Sequence, residues 1–291
     1  MEISRSGAPA GIRSNAAGLY ISKYATYLAL LALAVVQLFP LVWLVDFSLC
    51  KTSELFGKYI LKWPSPPQWS NYVTAWVKGD VPRFLLNSVV VNAATILITL
   101  YLVMVMSYAF TRMEWKLKSF FYGFILLGLM IPIHVTLLPN FFTFDAIGIR
   151  DSYLGLIIPY VAFSLPFGIF LMSNFMKGNP KAIEESAVID GCNVWSIVFK
   201  IVLPLTKPAV VSILVTTFLT SWNEFIMAAT YLTSNTYRTL PFAVYNFVGV
   251  YSADYAVQFA VMALTAFPVI LVYIIFNQQM TKGIIFGSVK S

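Results

Sequence analysis

Six apolar stretches, each of twenty-odd residues, divide this chain at about 23–49, 84–110, 119–142, 154–176, 205–229 and 256–278. About 20 apolar residues in a helix cross the hydrocarbon layer of a bilayer. In lipid, backbone N–H and C=O groups must be satisfied within the segment, which leaves helices as the way to use such stretches. Charged residues make up only 11% of the 291, against about 25% in soluble domains. The reading is therefore an all-α integral membrane protein with six transmembrane helices. A mobile cytoplasmic tail is expected over 1–22, a six-span domain over 23–279 and a second cytoplasmic tail over 280–291. The first stretch is too long, and its end too bulky, for a cleaved signal peptide, so it is read as a retained helix. Cys50 and Cys192 fall on opposite faces of this arrangement and are not expected to pair.

More of the 19 Lys and Arg fall on one side than on the other. The larger set comprises both tails, the turn with Arg112, Lys116 and Lys118, and the segment with Lys177, Lys181, Lys200 and Lys207. That side, with both termini, is expected to be cytoplasmic. The opposite side carries a Pro-rich stretch, Trp63-Pro-Ser-Pro-Pro-Gln-Trp69-Ser-Asn71-Tyr72, and a long loop over 230–255 with Tyr237, Tyr245 and Tyr251. Those tyrosines suit either carbohydrate or protein contact, or plain anchoring at the interface. Polar residues inside apolar stretches are few. Asn87, Ser88 and Asn92 suit bonds between helices. His134, the one histidine, lies between Pro132 and Pro139. It either lines a solute path or bonds a carbonyl that the prolines free. Asn223 and Glu224 stand within Trp222-Asn223-Glu224-Phe225 near the far end of the fifth stretch.

Between the fourth and fifth stretches runs a segment that is neither apolar enough to span nor rich in loop residues, Asn179 to Pro208. Asn179 can cap a helix with Pro180 at its first position, and Gly191 suits the left-handed residue past its end. Pro180 to Asp190 then gives roughly 16 Å of helix, too short to cross a bilayer. Asn193 can cap a second short helix. Glu184 and Glu185 are placed on the exposed side, and Ala182, Ile183, Ser186, Ala187 and Ile189 on a small-residue apolar face. Asp190 lies at the helix C-terminus, against the helix dipole. Such a helix can dock in a partner's groove or lie on lipid headgroups.

The residues of that segment resemble a known pattern. Glu185-Ser186-Ala187, three residues, Gly191, nine residues, Ile201, one residue, Leu203-Pro204 is similar to the EAA loop of ABC importer permeases, with Ser186 in place of the second Ala. The Pro-rich stretch ending Asn71-Tyr72, the Trp222-Asn223-Glu224-Phe225 stretch and the ending Lys282-Gly283-Ile-Ile-Phe-Gly287-Ser-Val-Lys290 resemble the smaller, six-span permease of the maltose or carbohydrate type. The resemblance implies a subunit that forms half of a solute pathway and works by alternating access. Its implied partners are a second homologous permease, two ATP-binding subunits and an extracytoplasmic solute-binding protein, in a bacterial or archaeal cytoplasmic membrane. Glu184, Glu185, Ser186, Ala187, Asp190, Gly191, Leu203 and Pro204 become the ATPase-coupling residues. His134, Asn223 and Glu224 are candidates for the pathway, and Tyr237, Tyr245 and Tyr251 for binding-protein contact.

The implied solute is a sugar or oligosaccharide. Glycerol phosphate and anionic uronate oligosaccharides are alternatives within the same group. A secondary transporter or channel is the more distant one, and the spans hold few charges for ion coupling. No enzyme, metal, cofactor or nucleic-acid role is expected. One histidine and two separated cysteines do not make a catalytic or metal cluster. Gly57-Lys58 lacks the rest of a phosphate-binding loop, so ATP and Mg would be bound by partner subunits.

Overall fold

In the computed structural model the backbone is described for residues 13–55, 63–249 and 253–288, and side chains from residue 23 to residue 278 within those limits. Four helices are long and apolar enough to cross a membrane. They lie within α1 (Arg13–Ser48), α3 (Val81–Arg112), α6 (Tyr153–Gly178) and α12 (Tyr255–Ser288). A short helix, α2 (Ser70–Lys78), precedes α3 and starts within the Pro-rich stretch. Pro82 opens α3 at a position where its missing N–H costs nothing.

The third and fifth apolar stretches are not straight spans. The third divides into α4 (Lys118–Leu126) with a 3-10 turn to Met130, and a second limb from Ile133 that contains α5 (Leu137–Ala146). The limbs meet at 94°. Pro132 sits in the break with extended backbone and cannot donate to a helix ladder. The fifth begins, after a bend of 83°, as α10 (Lys207–Trp222) and stops at Asn223. A short α11 (Ile226–Tyr231) follows. At 16 residues α10 is roughly 24 Å long. Among the described residues, the helices able to span therefore number four long ones, or up to six spans if each bent pair counts as one.

Helices α3 and α6 form the spine. Gly168 allows their close approach, because a Cβ there would come within 2.6 Å of Val103 Cγ2. At the Arg112 end of α3, Met104, Tyr108, Met172 and Met176 pack with Ile197, Val198 and Val202 of the segment after α6. At the Val81 end, Phe84, Phe218, Trp222, Leu240 and Val257 join α3, α10, α12 and the loop before α12. Helix α1 stands off the body. The span Lys23–Ser48 is unburied over its most apolar window. Its C-terminal end meets α12, with Trp43 and Phe47 at ring-centroid distances of 5.8 and 5.3 Å from Phe259, and α2, where Ser48 Oγ lies 2.7 Å from Tyr72 Oη.

Candidate functional site

The segment after α6 folds as two short helical pieces joined by a tight turn. Asn179 is extended, as a residue before proline prefers, and it ends α6 rather than starting the next helix. Helix α7 (Ala182–Ile189) therefore begins two residues later than the capping pattern suggests, with the Lys181 carbonyl accepting from Glu184 and Glu185 N–H. Its end is as expected. Gly191 is left-handed at φ 81°, its N–H donates to Val188 O (3.0 Å), and Cys192 N–H donates to Ala187 O (2.9 Å). These two bonds make a Schellman motif. Asn193 Oδ1 then accepts from Ser196 N–H at 2.8 Å and starts α8 (Val194–Ser196). A π-helical turn (Ile197–Val202) and α9 (Leu203–Leu205) continue it to the 83° bend at Thr206. Pro208 has no N–H for the Pro204 carbonyl one turn back, so a continuous helix fails here. Leu203 and Pro204 thus lie before the bend and do not run straight into the next span.

Two expectations for α7 are corrected. Glu184 is not on the exposed side: only Glu184 and Ala187 of α7 are buried. Its carboxylate accepts from Arg112 Nε at 2.7 Å, with both side chains about nine-tenths buried. Arg112 Nη2 also donates to Met176 O (2.8 Å) and Asn179 O (3.1 Å), which closes the C-terminus of α6. The partner lies 72 residues away in sequence, so helix periodicity could not reveal it. Nor do the five small and apolar residues share one face. Ala187 turns inward, while Ala182, Ile183, Ser186 and Ile189 are exposed, Ile189 at 86%. Glu185 and Asp190 are exposed beside them.

A cavity of about 550 Å³ lies against the interrupted parts of the third and fifth stretches. His134, Asn223 and Glu224 all line it, together with Tyr160, Ser164 and Phe167 of α6 and Thr216, Thr217, Thr220 and Ser221 of α10. Glu224 is not simply near a helix end. It stands in the gap before α11, and its carboxylate accepts Met227 N–H at 2.9 Å and Tyr160 OH at 2.8 Å. A carboxylate is well placed on the free N–H groups of a helix start. Ser221 donates to Asn92 Oδ1 at 2.6 Å, which ties the cavity wall to α3. Sequence reasoning passed over Tyr160, Ser164 and the α10 hydroxyls. Their signal was polar residues at spacings of three and four in apolar helices.

The Val81 end of α3 is laced by polar bonds. Asn87 Nδ2 donates to the Thr236 and Arg238 carbonyls, and its Oδ1 accepts from Tyr153 OH at 2.7 Å. Ser88 Oγ accepts Leu240 N–H at 2.8 Å. Asp151 accepts from Thr233 and Ser234 N–H. Burial alone would raise its carboxyl pKa, but these hydrogen bonds outweigh it and hold the group below the ordinary value. Tyr245 is exposed and stacks on Phe225 and Phe242, 5.1 and 5.4 Å between centroids. Tyr237 is half-buried against Tyr153, and Tyr251 lies outside the described residues.

The model for the inner membrane component of binding-protein-dependent transport systems matches residues 102–285. The chain belongs to this family. A relative of this permease is the probable ABC transporter permease protein YurM of Bacillus subtilis, 31% identical over 93% of this chain and 90% of that one. The trehalose transport system permease protein SugB of Mycobacterium tuberculosis is 31% identical over 92% and 99%. The diacetylchitobiose uptake system permease protein NgcG of Streptomyces coelicolor is 29% identical over 88% and 85%. Among solved structures, a bacterial ABC transporter involved in import of the acidic polysaccharide alginate superposes with a TM-score of 0.78 over 93% of this permease and 99% of that chain. At 20% identity it speaks for the fold.

Proposed function

We propose that this permease forms half of the transmembrane pathway of an ATP-driven importer for a neutral sugar or oligosaccharide. It has no catalytic role, and its ATP and Mg are bound by two separate ATP-binding subunits. Those subunits grip α7 and its flanking turns from the cytoplasm. Their closure tilts the bundle between inward-open and outward-open states about the cavity, as rigid-body alternating access. A second, homologous permease completes the pathway, and a solute-binding protein delivers solute to the loop over 230–255. Both termini are cytoplasmic, in a bacterial or archaeal inner membrane.

The observation that carries this reading is α7 itself, a short capped helix with an exposed apolar and acidic surface held outside the bundle. Glu185 and Asp190 offer carboxylates to basic residues of the ATPase, and Ile183, Val188 and Ile189 offer apolar contact. The sugar reading draws on the relatives named above and on the chemistry of the cavity. Hydroxyl and amide side chains suit hydroxyl-rich solutes, and aromatic rings suit the apolar faces of sugar rings. Neither Lys nor Arg is among the lining residues, and the carboxylate there is Glu224. That favours a neutral solute over glycerol phosphate or a uronate.

The test is Glu185→Lys in the reconstituted assembly. Sugar uptake is expected to be abolished while the chain still inserts and folds. Uptake that survives this substitution, or that proceeds without ATP-binding subunits, would instead indicate a secondary transporter or channel.

A further inference from the structure

Two adjacent glutamates of α7 have different surroundings. Glu185 faces outward, where the proposed function places the ATPase. Glu184 faces inward onto Arg112. Only Glu184 and Ala187 of α7 are buried, so the fully buried part of its grip on the bundle is one methyl group and one ion pair. The ion pair is multiply tied. Arg112 is the last residue of α3, and its guanidinium reaches Glu184 Oε1 at 2.7 Å and the Met176 and Asn179 carbonyls at 2.8 and 3.1 Å. Tyr108, one turn back on α3, sets its phenol against the same carboxylate. One guanidinium thus joins the end of α3, the end of α6 and the side of α7. Arginine suits this place because its planar fork can serve a carboxylate and two carbonyls at once. A lysine cannot hold that geometry.

We propose that the Arg112–Glu184 pair is the strut that makes α7 move as one body with α3 and α6, so that displacement of α7 opens and closes the cavity. This rests on the reading of α7 as the ATPase-docking helix. Both are positioning residues, and neither touches solute. Force applied at Glu185 enters the backbone of α7, passes through Glu184 to Arg112, and is shared between the two spine helices. Of the two, α6 carries Tyr160 and Ser164 on the cavity wall. Without the strut, α7 stays docked on its ATPase and rocks on the Ala187 contact while the spine stays still.

The single variants leave a buried charge without its partner, so the informative variant is the double neutral one, Arg112→Gln with Glu184→Gln. In proteoliposomes holding the full assembly, the ATP-binding subunits should remain bound and hydrolyse ATP. Solute taken up per ATP should fall about tenfold, the scale of an ordinary coupling between two sites. A double variant that assembles and keeps the parental uptake per ATP overturns the strut. Failure of the parental chain to retain ATP-binding subunits overturns the docking reading, and the strut with it, and is seen separately on the unsubstituted assembly.

A second measurement does not depend on the variant folding. Spin labels at Ser186→Cys and Lys116→Cys, in a Cys50→Ser, Cys192→Ser background with the strut intact, report the distance from α7 to the turn that follows α3. The strut predicts that this distance is the same in the nucleotide-free and nucleotide-trapped assemblies, as for rigid-body motion. A change of several ångströms, about one helical turn, shows α7 moving independently and overturns the proposal.

Discussion

At the Val81 end of α3, Asn87, Ser88 and Asp151 all bond the backbone of the loop over 233–240, and Asn246 bonds the Gly79 carbonyl before α3. At the Arg112 end, roughly 45 Å away along the helix, one guanidinium does most of the joining, and the neighbouring α7 leaves six of its eight residues uncovered. Polar bonds made by several side chains to one connecting loop resist any single displacement. A single buried ion pair beside an open helix is what the proposed strut needs instead. On the proposed function, the contrast teaches that stiffness and drive are built at opposite ends of the same two helices, with the cavity between them.

The comparison can be broken by substitution. Asn87→Ala removes three hydrogen bonds from a nearly unexposed site, and should cost about 3 kcal/mol of stability. Thermal unfolding of the purified permease in detergent reads this. If Ile189→Ala, on the bare face of α7, lowered the midpoint as much, the two ends would not differ as described. Glu224→Ala should cost about 1–2 kcal/mol, because α11 loses its capping carboxylate, with a further loss from the stranded Tyr160 hydroxyl. Glu224→Gln should restore most of the cap, and the same unfolding measurement separates them.

The smallest expected effect is a pH dependence at the Val81 end. The folded carboxyl of Asp151 titrates below its unfolded value, near 3.9, so its stabilisation is present above that pH. It is lost as pH falls through the folded value. Because Asp151 is only partly buried, the contribution is expected to stay below about 1 kcal/mol. Between pH 6 and pH 3 the midpoint of the parent should fall slightly more than that of Asp151→Asn. Equal falls would remove Asp151 from the polar lacing.

The sequence disclosed the long helices more readily than the broken ones. Hydropathy located α1, α3, α6 and α12 because in each a single helix carries a full-length apolar run. The same windows read straight through 119–142 and 205–229, since composition does not register a bend. Pro132 and Pro208 marked both bends, but a proline in a membrane helix can also be absorbed, as Pro159 and Pro166 are inside α6. The turn at Gly191 was legible because left-handed backbone selects glycine. The inward turn of Glu184 was not, because it depends on Arg112 at the end of another helix. His134, Asn223 and Glu224 stood out as polar residues in apolar surroundings. Their shared cavity depends on two interruptions that local pattern cannot bring together.

The central claim is that α7 is the surface an ATP-binding subunit grips. Ile189→Cys, at the most exposed large apolar residue of α7, tests it by crosslinking in the assembled transporter in its native membrane, with Cys50 and Cys192 replaced by serine. The account predicts crosslinks from residue 189 to the ATP-binding subunit, with yields that change on nucleotide trapping. Free labelling of that cysteine by a water-soluble reagent in the complete assembly, or crosslinks only to lipid, would contradict it.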